Sequence, residues 1–243
     1  MAEVTVLKIG GSVLTGLTAY RAVARFLCDE LARTHARILA VVSAEAGHTD
    51  RLAFEASALS STPDPDAIDL LWSTGELRSV ALLTCALRAE GALTLGMNVH
   101  ETGLRVDLGH GRTPSPVDLR LNPLSLRAAL ARHDVVVVPG FLATSRHRIV
   151  TLGRGGSDWS AVALAAALGA SRCELIKDVP GYFSADPRTV PDAALIDRLD
   201  FTAAIAMAEA GCPLVQRQAL EYARQAGLPV VVRNLDSIGT RVA

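Results

Sequence analysis

The sequence is short of the features that mark several large functional classes. It has no basic run, and 24 Lys and Arg stand against 25 Asp and Glu for a formal net charge of -1. Bulk charge gives no reason to expect nucleic acid as a partner. The four cysteines, Cys28, Cys85, Cys173 and Cys212, lie apart in mostly apolar stretches. None forms a C-x-x-C pair or stands beside histidine at ligand spacing, which argues against structural zinc and predicts buried, reduced thiols. The histidines show no metal spacing either, so no metal-ligating residue is expected; His48 alone is placed where it could touch a substrate. The N-terminus has no basic segment leading into an apolar stretch, and the longest apolar run, 161–169, is too short to span a bilayer. No secretory signal and no membrane partner are expected, and a cytoplasmic location is. There is no repeat at solenoid periods and no low-complexity linker.

What is present is the make-up of a compact enzyme: 243 residues, 50% hydrophobic and 20% charged. Such a chain buries one good core, or two joined lobes, without disulfides or metal. Short β-branched runs alternate with helical patterns, which predicts an α/β fold with a mainly parallel sheet. Strands are expected at 4–9, 37–43, 93–98, 135–138 and 173–176, with 146–151 pairing as a hairpin strand after Pro139-Gly140-Phe141. A last strand, 229–234, is expected to close the sheet. Helices are expected at 19–34, 75–89 (capped by Ser73 or Thr74), 123–132, 157–168, 200–210 and 216–226. The polar Pro-containing stretch 57–66 reads as a loop, and 103–116 as an irregular excursion.

Three segments carry chemistry. Lys8-Ile9-Gly10-Gly11-Ser12 ends the first strand in two glycines, where backbone N–H groups can meet a phosphate with no Cβ in the way and Lys8 adds a charge. It is not a Walker A loop, because the required spacing is absent. In Gly153-Arg154-Gly155-Gly156-Ser157-Asp158, glycines bracket an arginine, and Ser157 is expected to cap the next helix. A helix N-terminus with Arg154 beside it is an anion site. Asp158 either faces the helix dipole or orients Lys8. The third segment, 177–188, follows a strand at the sheet edge where open α/β folds place ligands. It contributes Lys177, Asp178, Tyr182, Phe183, Asp186 and Arg188, and would otherwise be a charged surface loop.

Lys8-Ile-Gly-Gly-Ser, Val42-Ser-Ala, Gly75-Glu76, Pro139-Gly-Phe, Thr151-Leu-Gly-Arg-Gly-Gly-Ser-Asp158 and Asp178-Val-Pro-Gly with Asp186-Pro-Arg occur in the order seen in the amino acid kinase family. The string 151–158 resembles aspartokinases in particular. The resemblance runs over almost the whole chain. It implies a three-layer αβα sandwich in a single domain, 1–243, with an acceptor lobe to about residue 140 and a nucleotide lobe from about 141. It implies transfer of the γ-phosphoryl group of ATP, with Mg²⁺ held mainly by phosphate oxygens and water, onto the side-chain carboxylate of aspartate. Lys8 and Asp158 would be catalytic, Lys8 stabilising the phosphoryl group and Asp158 holding it in register. Ser43, Thr49, Glu76, Arg154 and Ser157 would lie at the acceptor, Glu76 taking the amino group and Arg154 a carboxylate. Gly10, Gly11, Ser12, Lys177, Asp178, Tyr182, Phe183, Asp186 and Arg188 would hold the nucleotide, with an aromatic beside the base and Arg188 near the phosphates.

This sequence departs from the family pattern at several points. Lys177 precedes Asp178 where threonine is usual, Phe183 stands where tyrosine is usual, and Pro213 replaces a phosphate-binding lysine. Lys177 is expected to supply the lost charge. The chain stops where the kinase domain stops, so feedback through ACT domains is not expected, and the family implies a dimer or larger assembly. Two other functions fit the same residues: a relative acting on an N-acyl amino acid, a phosphonate or a phosphate, or an ATP-binding subunit without turnover.

Overall fold

The computed structural model describes residues 3–108, 119–212 and 214–243. Eight strands form the main sheet in the order β10-β12-β11-β9-β1-β2-β6-β3. They are β1 (Val4–Ile9), β2 (Arg37–Val42), β3 (Thr94–Gly96), β6 (Val135–Pro139), β9 (Cys173–Ile176), β10 (Arg198–Leu199), β11 (Val230–Arg233) and β12 (Thr240–Val242). All neighbours pair in parallel except β11 with β12. Central parallel strands are buried on both faces, and Val135, Val136, Val137 and Val138 are accordingly all fully buried.

Alternation along these strands feeds two cores. Val6, Leu39, Val136 and Leu175 face α4 (Leu124–Leu130), α5 (Gly156–Leu168), α6 (Phe201–Glu209) and α7 (Arg217–Ala226). Leu7, Ile38, Ala40 and Val137 face α1 (Leu17–Thr34) and α3 (Pro65–Ala89). Helices on both faces of one sheet make the three layers. A smaller sheet, β5-β4-β7-β8, is built from β4 (Leu104–Val106), β5 (Leu119–Leu121) and the hairpin β7 (Leu142–Ser145) to β8 (Arg148–Thr151). Most of the excursion expected at 103–116 lies outside the described residues, apart from its first part, which forms β4.

Four expectations need correction. The stretch 57–66 is not one loop: it holds the end of α2 (His48–Leu59) and the start of α3. Helix α3 starts at Pro65, not near Gly75, because Asp64 caps it by accepting from Ala67 N–H at 3.0 Å and proline suits the first turn. Ser73 and Thr74 are interior residues whose hydroxyls donate back to the Leu70 and Leu71 carbonyls. At α5 the cap is Gly155, at φ 73°, and Ser157 lies inside the first turn. The last expected strand, β11, is not the sheet edge. Gly239, at φ 83°, lets the chain reverse into β12, and β10 pairs beyond it.

Candidate active site

The parallel strands β1, β2, β6, β9 and β11 all end on one side of the sheet, where open α/β folds keep their ligands. The glycine loop after β1 is the hub. Gly10 N–H donates to Ile176 O at 2.9 Å, tying the loop to β9. That amide is therefore not free for a phosphate, contrary to expectation. The N–H groups of Gly11 and Ser12, at the start of a 3-10 turn, have no partner among the described residues and remain available. Gly11 must be glycine for a spatial reason: a Cβ there would lie 2.3 Å from Ala44 O.

Asp158, in the first turn of α5, is buried and pairs with two lysines. Lys8 Nζ lies 2.8 Å from Oδ1 as a close ion pair, and Lys177 Nζ donates to Oδ2 at 2.7 Å. Burial alone would raise the Asp158 pKa, but Lys177 and Lys8 outweigh it and hold the carboxyl at about 2. Burial, with Lys177 adding to it, pulls Lys8 below its ordinary value against the attraction of Asp158. Two cations around one carboxylate leave a net positive charge in a dehydrated corner, which an anion would complete. The sequence reading placed Lys177 with the phosphates, and the structure puts it beside both catalytic candidates. Pro213, the position of the missing lysine, lies outside the described residues.

On the other side of the hub, residues 43–46 are stitched between the glycine loop and α3. Ala46 N–H donates to Gly11 O at 3.1 Å, and Ala44 N–H to Glu76 Oε1 at 3.3 Å. Glu76 is 3% exposed, and its Oε2 is buried without a hydrogen-bond partner. Burial pushes its carboxyl up to about 7, the Ala44 amide only partly opposing it. Gly75, inside the helix, leaves room for the loop: a Cβ would stand 2.9 Å from both Ala44 Cβ and His48 Cδ2. His48 thus packs against the helix next to Glu76, while Ser43 and Thr49 are half-buried on the same loop and on α2. Sequence reasoning missed Asp69, buried earlier on α3, which accepts from Thr151 Oγ1 at 2.7 Å and ties α3 to β8. The only signal for it was an acid on the buried face of a helix that the sequence reading had begun too late.

Arg154 sits in the loop entering α5, exposed and without an ion pair among the described residues. Ser157 is half-buried, its Cβ against Gly140. The segment after β9 forms one wall of a cavity of about 740 Å³, and the C-terminal end of α6 forms the other. Asp178 and half-buried Phe183 line it. Tyr182 is part of the core at 1% exposure, so it forms the floor of the cavity and cannot stack freely on a base. Arg188 donates two hydrogen bonds to Asp186, at 3.1 and 3.0 Å, on the exposed rim. Among the described residues no cluster of three or more His, Cys, Asp or Glu could hold a metal ion, and none of the helices is long and apolar enough to cross a membrane.

A sequence model described as the amino acid kinase family matches residues 3–234. The chain belongs to the amino acid kinase family. Among curated members, the aspartokinase of Thermus thermophilus is 36% identical over 228 residues, covering 93% of this chain and 55% of its own length. The chain spans about half the length of the curated relatives it matches. Among solved family members, the aspartate kinase from Synechocystis superposes with a TM-score of 0.87 at 36% identity, over 100% of this chain and 40% of that one. E. coli aspartokinase III, solved with aspartate and ADP, superposes with a TM-score of 0.81 at 27% identity, over 99% and 64% of the two chains.

Proposed function

We propose that the chain transfers the γ-phosphoryl group of ATP to the side-chain carboxylate of aspartate or a close α-amino acid relative, giving an acyl phosphate. The observation that carries this is the pairing of two unmet charges across one glycine loop. On one side stands the cationic Lys8–Asp158–Lys177 cluster, and on the other the buried, half-partnered carboxylate of Glu76. The former suits a phosphate and the latter an ammonium. Likeness to an aspartokinase crystallised with aspartate and ADP supports the same pair of ligands.

In this reading residues to about 140 hold the acceptor and the remainder the nucleotide. The amino group of the acceptor donates to Glu76 Oε2, and Arg154 swings in to grip a carboxylate through parallel hydrogen bonds. The Gly11 and Ser12 amides and the Lys8 and Lys177 ammonium groups face the phosphoryl group. Charge on its equatorial oxygens rises during transfer, and donors already fixed in place stabilise it without reorganising. Asp158 keeps the two ammonium groups from repelling each other out of position. Asp158 is fully engaged by the lysines and no acidic cluster stands near it among the described residues, so the residues present do not build a protein cage for Mg²⁺.

An N-acylated acceptor would leave Glu76 buried without a cation, which disfavours that alternative. ADP release across a panel of acceptors tests the reading. Aspartate should drive turnover, while N-acetylaspartate, phosphonates and phosphate monoesters should not. Lys177→Ala should lower kcat by about 100-fold; unchanged turnover and ATP affinity would remove Lys177 from the phosphate site.

A further inference from the structure

The face of the main sheet that carries α1 and α3 is left bare beyond β9. Arg198 on β10, Arg241 on β12, Val231 on β11 and Glu174 on β9 stand in register and therefore share this face. Here they line a groove of about 900 Å³, larger than the nucleotide cavity. Its inner end is a closed charge network. Arg233 is 8% exposed, donates to Glu174 at 2.8 Å and pairs with Glu30 at 3.2 Å, while its guanidinium lies over Phe26 at 4.9 Å. Arg172 and Arg33 take the other oxygens of those two carboxylates.

The outer end is not closed. Arg198 and Arg241 lie directly opposite each other, exposed, with no side-chain hydrogen bond or ion pair among the described residues. Like charges facing across adjacent strands cost stability. Asp197 precedes Arg198 in the groove lining, and among the described residues the lining as a whole holds five arginines against three acids. Apolar surface accompanies the charge: Val231 on the floor, Leu195 at 36% exposure, and Ile238 at 94% on the rim. An arginine pair over an apolar wall matches a small molecule with an anionic head and an apolar body.

The groove also backs onto the nucleotide loop. Leu195 forms an antiparallel bridge with Phe183, Ile196 N–H donates to Tyr182 O at 2.8 Å, and Tyr182 N–H donates to the hydroxyl of Thr240, next to Arg241, at 2.8 Å. Residues lining the groove, or adjacent to them in the chain, are thus bonded directly to Tyr182 and Phe183, which line the nucleotide cavity. We propose that the groove binds a small organic anion, with a phosphate or carboxylate on Arg198 and Arg241 and an apolar body on Leu195 and Ile238, and that its occupancy tightens nucleotide binding. The coupling rests on the nucleotide reading above; the binding itself does not.

1-Naphthyl phosphate is a suitable probe, measured calorimetrically with the nucleotide cavity saturated by ADP and Mg²⁺. The expected result is one site per chain that survives ADP saturation. Affinity should fall on the order of tenfold or more in Arg198→Gln/Arg241→Gln, two exposed positions whose exchange relieves a like-charge pair and should not lower the melting temperature. Inorganic phosphate alone should bind much more weakly. In the reciprocal titration, excess naphthyl phosphate should raise ADP affinity by about fivefold in the unaltered chain and not in the double variant. Equal binding to the double variant, displacement by ADP, or an acidic peptide binding where the naphthyl compound does not would each overturn the site. Binding with no change in ADP affinity would overturn the coupling.

Discussion

Glu76 sets the behaviour of the acceptor side through one proton. Its folded pKa stands near 7 against an ordinary 4.5, so the buried site favours the protonated form by about 3 kcal/mol. Because the folded value is raised, this stabilisation is complete below pH 4.5 and is lost as pH climbs through about 7. An ammonium-bearing acceptor needs the ionised form, so its KM should fall as pH rises from 6 to 8. Glu76→Gln should flatten that profile and raise KM about 10- to 100-fold, read by ADP release at each pH. Asp158 works in the opposite sense: its pKa is depressed, so its contribution holds above pH 4 and fades as pH approaches 2. Asp158→Asn should cost about 3 to 5 kcal/mol in denaturant unfolding, by leaving two buried lysines unmatched, and lower kcat at least about 100-fold. At this scale Lys8 and Asp158 stood out because charged residues sat near a strand end and a helix start close to glycines, and Glu76 because it follows Gly75 in a family motif, although it lies inside α3. The partnership of Lys177 with Asp158 was only half legible, since no spacing rule brings the end of β9 to the start of α5. The pairing of Arg188 with Asp186, two residues away, was not legible, because sequence alone does not show which acid an exposed guanidinium meets.

Among the elements, α3 shows what patterning does and does not disclose. Its second half alternates as a buried helix should, and the sequence reading found it. Its first half is masked by Ser, Thr, Pro and Asp, each of which has a turn reading and a helix-start reading. The structure decides between them through Asp64. Asp64→Ala should therefore lower stability by about 1 kcal/mol, whereas Thr74→Ala should change it little or raise it, because Thr74 is an exposed interior position. Were Thr74 the cap, the two outcomes would be exchanged. Thermal melts of the two variants separate the cases. Helix α2 escaped notice for a related reason: Gly47, at φ 74°, starts it without a side-chain cap. Strands were easier, because continuous β-branched runs such as 135–138 can only be central in a parallel sheet. The reversal at Gly239 into β12 was not legible, since three residues carry too little pattern to read as a strand.

Seen whole, the molecule places its chemistry by topology. Parallel strands end together, and the loops that follow β1, β2 and β9 are bound to each other and to the start of α5 by the Gly10–Ile176, Ala46–Gly11 and Lys177–Asp158 contacts. A change at Gly11 should therefore reach both ligands at once: Gly11→Ala, with its Cβ driven onto Ala44 O, should weaken nucleotide and acceptor binding together. The α/β class and mainly parallel sheet were readable from the alternation of elements, and the family, with the three layers it implies, from six motifs in order. The pairing of β10 and β12 and the bare arginine face were not, because they depend on contacts between segments far apart in the chain. Phosphoryl transfer as proposed needs a cation cluster and a waiting carboxylate acting on one acceptor. Hydroxylamine trapping of the acyl phosphate, run with ATP, Mg²⁺ and either aspartate or N-acetylaspartate, tests this most directly. Hydroxamate should form from aspartate and not from the acetylated compound; equal yields from both, or none from either, would contradict that division of labour.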